Sequence, residues 1–232
     1  MKPDRKITIA IDGPAGAGKS TVAREVARRL DLKYLDTGAM YRAVTLKVIR
    51  AQLALDEPGE LEALLGEIKI EFGTGEGDGK VFLNGEDVTA EIRGVPVNKR
   101  VSEVSSISMV RKKMVALQRE IAVRSRGIVV EGRDICSRVL PEADFKFYLE
   151  ARLSERALRR WKEQVAGGMK VSLGQVQDAI KMRDSIDSQR RDSPLTVAPG
   201  VTVIDTTELS LEAVINKVLS IVNVGGTAVE GE

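Results

Sequence analysis

Nine residues near the start of the chain, Gly13-Pro14-Ala15-Gly16-Ala17-Gly18-Lys19-Ser20-Thr21, fit the spacing of a phosphate-binding loop: Gly, any four residues, Gly, Lys, then Ser or Thr. Each residue type has a task in that pattern. The glycines let backbone amides approach phosphate oxygens where a Cβ would block them. Lys19 adds a mobile positive charge beside the β and γ phosphates of a nucleoside triphosphate, and the Ser20 hydroxyl supplies a hard oxygen to Mg²⁺.

The rest of the chemistry must do without imidazole. The chain has no histidine, which removes an imidazole general base, a Ser/His/Asp triad and any histidine-ligated metal. One cysteine, Cys136, cannot form an internal disulfide or a multi-thiolate site and reads as a small buried hydrophobe. What remains is lysine, arginine, carboxylate and backbone amide, a set suited to phosphoryl transfer, where catalysis is mostly positioning and electrostatic stabilisation. Three groupings offer such residues: Asp36-Thr37, Glu131-Gly132-Arg133-Asp134, and Arg183, Asp187 and Arg190 at helical spacings of four and three. From spacing alone, Thr37 is equally a helix cap, and the last trio is a surface ion network rather than an anion clamp.

These side chains need elements to hold them. Ile7–Ile11 reads as a buried parallel strand before the loop, and Val22, Ala23, Val26, Ala27 and Leu30 give the helix after it one apolar face. Tyr34-Leu35-Asp36 is a strand end running into a helix through Met40, Val44 and Val48. After a short helix at Leu61–Ile68 come alternating residues, a Gly-rich turn from Gly73 to Gly79, and a tight turn at Asn84-Gly85, which predict a small β-containing insertion. A long amphipathic helix then carries Val110, Met114, Leu117 and Ile121, with Arg111, Lys112, Lys113 and Arg119 on what reads as its wet face. Ile128–Val130 is a strand that delivers Glu131–Asp134 at its carboxyl end, where ligands sit in open parallel sheets. Phe145–Leu149 and Val201–Ile204 are further strands. Between them, a helix bearing Arg152, Arg156, Arg159, Arg160 and Lys162 meets Gly167-Gly168 and then a helix opened by Ser172 and Gln175 as a capping box, an arrangement that suggests a lid. Ser210 caps a last amphipathic helix.

The chain has 232 residues, enough for one α/β domain with insertions, and its net charge of +2, from 36 Lys and Arg against 34 Asp and Glu, gives no reason to expect nucleic acid as a partner. No run of residues suggests a membrane span or a signal peptide, so the expectation is a cytoplasmic protein with no membrane partner.

Gly13–Thr21, Leu35-Asp36-Thr37-Gly38-Ala39-Met40-Tyr41-Arg42, Glu131–Asp134 and the Arg183, Asp187, Arg190 face followed by Ser193-Pro194-Leu195 occur in this order along nearly the whole chain, which thereby resembles the bacterial cytidylate kinases of the nucleoside monophosphate kinase superfamily. The resemblance implies an α/β fold: a P-loop core with a parallel sheet flanked by helices, plus a small β-containing insertion in the monophosphate-binding region and a short helical lid. On this chain the core falls at 1–36, 103–155 and 186–224, the monophosphate-binding region at 37–102, and the lid with its following helix at 156–185, with a disordered tail at 225–232. It also implies transfer of the γ-phosphoryl of Mg²⁺-ATP to CMP or dCMP by a monomer. Residue by residue, it implies Thr37, Arg133 and Arg190 as acceptor-phosphate ligands, Ser102, Arg111 and Asp134 as cytosine readers, Asp187 with Arg183 as sugar and phosphate contacts, Asp36 as a further site residue, and Lys19, Arg133, Arg190 and the lid residues Arg156 and Arg160 as the catalytic charges. Thr37 stands where serine is common and keeps the hydroxyl.

Two other readings share the loop. A kinase for an alcohol acceptor would need a carboxylate base, for which Asp36 or Asp134 could serve. A GTPase-like switch has weaker support, because Asn98-Lys99 begins a guanine-type motif but Val101 stands where its Asp should be.

Overall fold

Ile9 and Ile11 project to one side of strand β1 (Thr8–Asp12) and Ala10 to the other, and all three are fully buried. A strand buried on both faces requires helices on both faces of its sheet. The structure, a computed structural model, describes residues 6–73 and 79–227 and meets that requirement. Five parallel strands run in the order β2 (Lys33–Asp36), β6 (Ile128–Glu131), β1, β7 (Phe145–Glu150) and β8 (Thr202–Asp205). Helices α1 (Lys19–Leu30) and α8 (Leu211–Thr227) cover the face that carries Ile9, Ile11, Val129, Phe147, Leu149 and Ile204. Against Ala10, Leu35, Ile128 and Val130 on the other face lie α2 (Thr37–Arg50), α4 (Val95–Ser106) and α5 (Ser108–Arg124).

The register brings the carboxyl ends of the central strands level. Ile11 and Asp36 both pair with Glu131, so Gly13, Thr37 and Gly132 emerge side by side. This edge holds the candidate site.

Between α2 and α4 lie α3 (Pro58–Gly66) and a three-stranded antiparallel sheet of β3 (Ile70–Phe72), β4 (Val81–Leu83) and β5 (Glu86–Asp87). Asn84 and Gly85 join β4 to β5 with φ of 51° and 87°, the two left-handed residues a tight hairpin demands. Of the Gly-rich turn between β3 and β4, residues 74–78 lie outside those described. Val81, Leu83 and Val88 pack into the same core as α2 and α4, so the insertion is continuous with the domain.

The lid is a helical hairpin of α6 (Leu153–Ala166) and α7 (Leu173–Gln189). The Ser172–Gln175 capping box is fully formed, and the Trp161 indole donates to Val171 O at 3.0 Å across the connection. At its root, Ala157, Val176 and Ile180 pack on Ala15 of the glycine-rich loop, so the hairpin stands directly over that loop.

The structure differs from sequence expectation at four places. Helix α4 takes up Val95–Ser106, to which the sequence reading assigns no element. The helix cap at residue 36 is the Asp36 carboxylate, which accepts from Ala39 N at 2.9 Å, and not Thr37. A π-helical turn, Ile135–Val139, follows β6. Helix α8 continues to Thr227, past the expected start of the tail at Gly225, and residues 228–232 lie outside those described.

Gly13 tests how tightly the loop is seated. Its φ is +148°, and an added Cβ would stand 2.0 Å from Leu149 O on β7. Gly13→Ala combines backbone strain with a clash against an immobile carbonyl and is expected to cost about 2–3 kcal/mol, read as a lowered Tm. An unchanged Tm would contradict the seating.

Candidate active site

Gly18, in the left-handed conformation, is the N-cap of α1, so the loop's amides converge at a helix N-terminus, a natural anion site. Lys19 opens the helix, is 5% exposed, and donates from Nζ to Pro14 O at 2.8 Å. The Ser20 hydroxyl donates to Glu131 Oε1 at 2.8 Å, bridging loop and β6. From the lid, Arg156 reaches Ala15 O at 3.0 Å and Ala151 O at 2.9 Å and pairs with Asp184, whose carboxylate also accepts from Ala15 N at 3.1 Å.

Asp12 ends β1 and is 1% exposed. Its two oxygens accept from Ile135 N at 2.9 Å and Cys136 N at 2.7 Å, which caps the π-helical turn and sets the residue just before it, Asp134. The Thr37 hydroxyl donates to Glu131 O at 2.7 Å, locking the start of α2 to the end of β6.

Beyond the loop runs a row of alternating charge. Arg111 Nη2 meets Asp134 Oδ2 at 2.5 Å, Asp134 Oδ1 is 3.9 Å from Arg190 Nη2, Arg190 Nη1 is 3.4 Å from Asp187 Oδ1, and Arg133 Nε donates to Asp187 Oδ2 at 2.9 Å. Arg183 stands 3.9 Å from Asp187. Arg42 lies beside this row on α2 and donates to Asn98 Oδ1 at 2.5 Å.

Burial and neighbouring charge shift several of these groups. Burial, and then the neighbouring Arg133, push Lys19 down; burial, and then Asp36, push Glu131 up. Arg42 is lowered to about 9 by burial and then by Arg183 and Arg160, and Arg183 to about 10 by burial and then by Arg133. For Asp187, burial alone would raise the pKa, but Arg133, Arg183 and Arg190 outweigh it and hold the carboxyl below its usual range. Cations that depress one another in a cleft need anions to offset them.

The structure brings Lys19, Ser20, Thr37, Arg111, Arg133, Asp134, Arg183, Asp187 and Arg190 to one edge of the sheet, and Arg156 to the loop. Asp36 reaches the edge but spends its side chain on the cap. Ser102 is half-buried on α4, one turn before Ser105, whose carbonyl accepts from Arg111 Nη1 at 3.1 Å. Arg160 bonds Glu163 at 3.1 Å on its own helix, as an i, i+3 neighbour, while its charge is felt by Arg42 and Arg183. Arg111, on the face read as wet, is 2% exposed, because α4 and the Asp134 turn cover it. Asp12, Arg42 and Asp184 went unassigned in the sequence; only the position of Asp12 at a strand end beside the loop pointed to it.

A family model described as cytidylate kinase matches residues 9–224. A cytidylate kinase from Caldanaerobacter subterraneus subsp. tengcongensis is 48% identical over 91% of this chain and 92% of its own length, and one from Geobacillus thermodenitrificans is 46% identical over 95% and 98%. Among solved structures, an uncharacterised protein from Eubacterium ventriosum superposes over 94% of this chain and 99% of its own with a TM-score of 0.52 at 11% identity, a likeness of fold alone.

Asp187 gives a pH test. Its folded pKa lies below the unfolded value of about 3.9, so its ion pairs contribute stability above that value and lose it as pH falls through the lower, folded value. The gap in Tm between the wild type and Asp187→Asn should therefore be largest near neutrality and narrow below about pH 4. A gap that stayed constant with pH would show that Asp187 is not held ionised by the arginines.

Proposed function

Since the chain belongs to the cytidylate kinase family and is a CMP phosphotransferase, we propose that it transfers the γ-phosphoryl group of Mg²⁺-ATP to CMP or dCMP, giving ADP and CDP or dCDP, at the carboxyl edge of the parallel sheet. The observation that carries this reading is the charge row running from the loop to Arg111, with donor and acceptor binding groups on one edge. ATP phosphates fit the loop amides and Lys19. The acceptor phosphate fits Arg133, Arg190 and Thr37, with Arg42 adding charge from α2, and Arg183 and Asp187 fit its sugar side. Asp134 accepts from the cytosine N4 amine while Arg111 donates to N3 or O2, and Ser102 lies on the same side. Uracil presents an oxygen where cytosine presents the amine, and the Asp134 carboxylate repels it.

No general base is needed. The acceptor phosphate has a second pKa near 6 and is largely dianionic at neutral pH. The arginines and Lys19 hold two anions in line and absorb the charge that develops between them, while Arg156, fixed at Ala15, holds the lid root against the loop. Arg160, bonded to Glu163 through Nη1 alone, keeps further donors for a phosphate.

The site fits Mg²⁺. Ser20 and Glu131 offer oxygen donors of the kind taken by an ion that draws most of its ligands from phosphate and water. Bound there, the ion would supply charge neutralisation on the transferring phosphoryl.

The alcohol-kinase reading finds no free carboxylate, since Asp36 caps α2 and Asp134 is paired with Arg111. Asn98, the start of the guanine-type motif, is engaged by Arg42 and by Arg93 O. No helix among the described residues is long and apolar enough to cross a membrane. The proposed working form is a cytoplasmic monomer with small-molecule partners and no nucleic acid.

Coupled ADP production with Mg²⁺-ATP and a panel of CMP, dCMP, UMP, AMP and GMP tests the reading. Turnover with CMP and dCMP should far exceed the rest, and turnover with another acceptor alone would refute the cytosine site. Lys19→Ala should lower kcat by about two or more orders of magnitude. Asp134→Ala should lower the CMP/UMP ratio of kcat/KM by about tenfold or more, and an unchanged ratio would remove the carboxylate from base recognition.

A further inference from the structure

Helix α5 buries Arg111, Met114 and Gln118 along one face. Gln118 is 1% exposed, and neither its Oε1 nor its Nε2 has a hydrogen-bond partner among the described residues. The same holds for the hydroxyl of Tyr41 on α2, for Arg111 Nε and for Arg190 Nη2. These atoms form one cluster. The Arg111 guanidinium carbon lies 5.2 Å from the centre of the Tyr41 ring. Burial raises the Tyr41 hydroxyl to about 12, and Arg111, Asp134, Arg190 and Gln118 all act on it, the last from close by without reaching good hydrogen-bond geometry. Other core hydroxyls are paired, as Thr45 is with Tyr41 O at 2.8 Å and Ser125 with Ile121 O at 2.7 Å, and the remaining unpaired buried side-chain atoms among the described residues, one each on Tyr34, Gln164 and Arg183, stand singly. Five unpaired polar atoms converging behind one ion pair are therefore a local feature.

We infer that Tyr41 and Gln118 are positioning residues of the base site: they hold the Arg111 guanidinium in the plane in which it meets Asp134, and so help to set the discrimination between an amino and an oxo group on the pyrimidine. The inference rests on the cytosine-reading role proposed for Arg111 and Asp134. Arg111 is held at its edge by Asp134 Oδ2 and Ser105 O, two contacts that leave it free to tilt about the line joining them. The Tyr41 ring closes one face against that tilt. The Gln118 amide, close to the Tyr41 hydroxyl, holds the ring in place through its polar end, so that losing either the amide or the hydroxyl lets the ring slide. A hydrocarbon side chain would pack there with no unpaired atoms, so the amide is a cost to the core that a role in recognition would explain.

Gln118→Met keeps the length and removes the amide, and Tyr41→Phe removes one oxygen and keeps the ring. Kinetics with CMP and with UMP, together with Tm, should be measured for both single variants and the double. Each single variant should lower the CMP/UMP ratio of kcat/KM by about five- to tenfold through a higher KM for CMP, with kcat falling by no more than about twofold. Tm should stay level or rise, and the double variant should lose little more than the worse single one. A ratio kept in either single variant, a loss that comes only with a fall in Tm and kcat, or losses that simply add, would overturn the inference. Asp134→Ala, run alongside, separates two failures: a ratio lost there but kept in Tyr41→Phe overturns the positioning role alone, and a ratio kept in both overturns the base-reading role and the positioning role with it.

Discussion

Arg111, Asp134, Arg190, Asp187 and Arg133 form an unbroken line of opposite charges that ties α5, the turn after β6 and the end of α7 together. Four of the five are almost fully enclosed, where losing one partner of a pair costs about 3–5 kcal/mol because its neighbour is left charged and unsolvated. The line therefore fixes α7 in place more by forbidding alternatives than by adding stability. It has three arginines to two carboxylates, and Arg42 and Arg183 stand beside it, so balance is restored only when anions arrive. The same row frames the candidate site and sets its charge.

Helix α7 has a different task on each side. Arg183, Asp187 and Arg190 follow the helical repeat toward the charge row, while Asp184, one residue along from Arg183, turns to Ala15 and Arg156. One rigid element thus touches both halves of the site. Its root packs on Ala15 through Val176 and Ile180, so a shift of the hairpin is felt in the glycine-rich loop.

Periodicity and punctuation made most of the scaffold legible. The β-branched run before Gly13, the 3.6-residue repeat after Lys19, Asn84-Gly85 and the Ser172–Gln175 box each express a local backbone preference, and each appears in the structure where it was read. Helix α4 escaped because its apolar residues Val97, Val101 and Val104 are few and β-branched, and because Pro96 at its start reads equally as a turn. The burial of Arg111 escaped because charge pattern describes a helix alone, and what covers Arg111 comes from residues 105 and 134. The resemblance assigns Arg160 to the lid, and its bond to Glu163 follows from their i, i+3 spacing. Contacts between distant segments, such as Asp12 with Ile135 and Asp184 with Ala15, leave no local trace.

The strand order has a consequence for the chain as it leaves the ribosome. Strand β1 precedes its two neighbours, which begin at residues 128 and 145, by more than a hundred residues, so it has no sheet to join until they have been synthesised. The hairpin of β4 and β5 and helices α2 and α4 need no such wait. The glycine-rich loop hangs from the carboxyl end of β1 and is braced by Leu149, Arg156 and Asp184, all later still. A nascent chain therefore holds its most recognisable motif without the residues that brace it until Asp184 has been made, and a product ending before Arg156 would carry the motif but not the bracing.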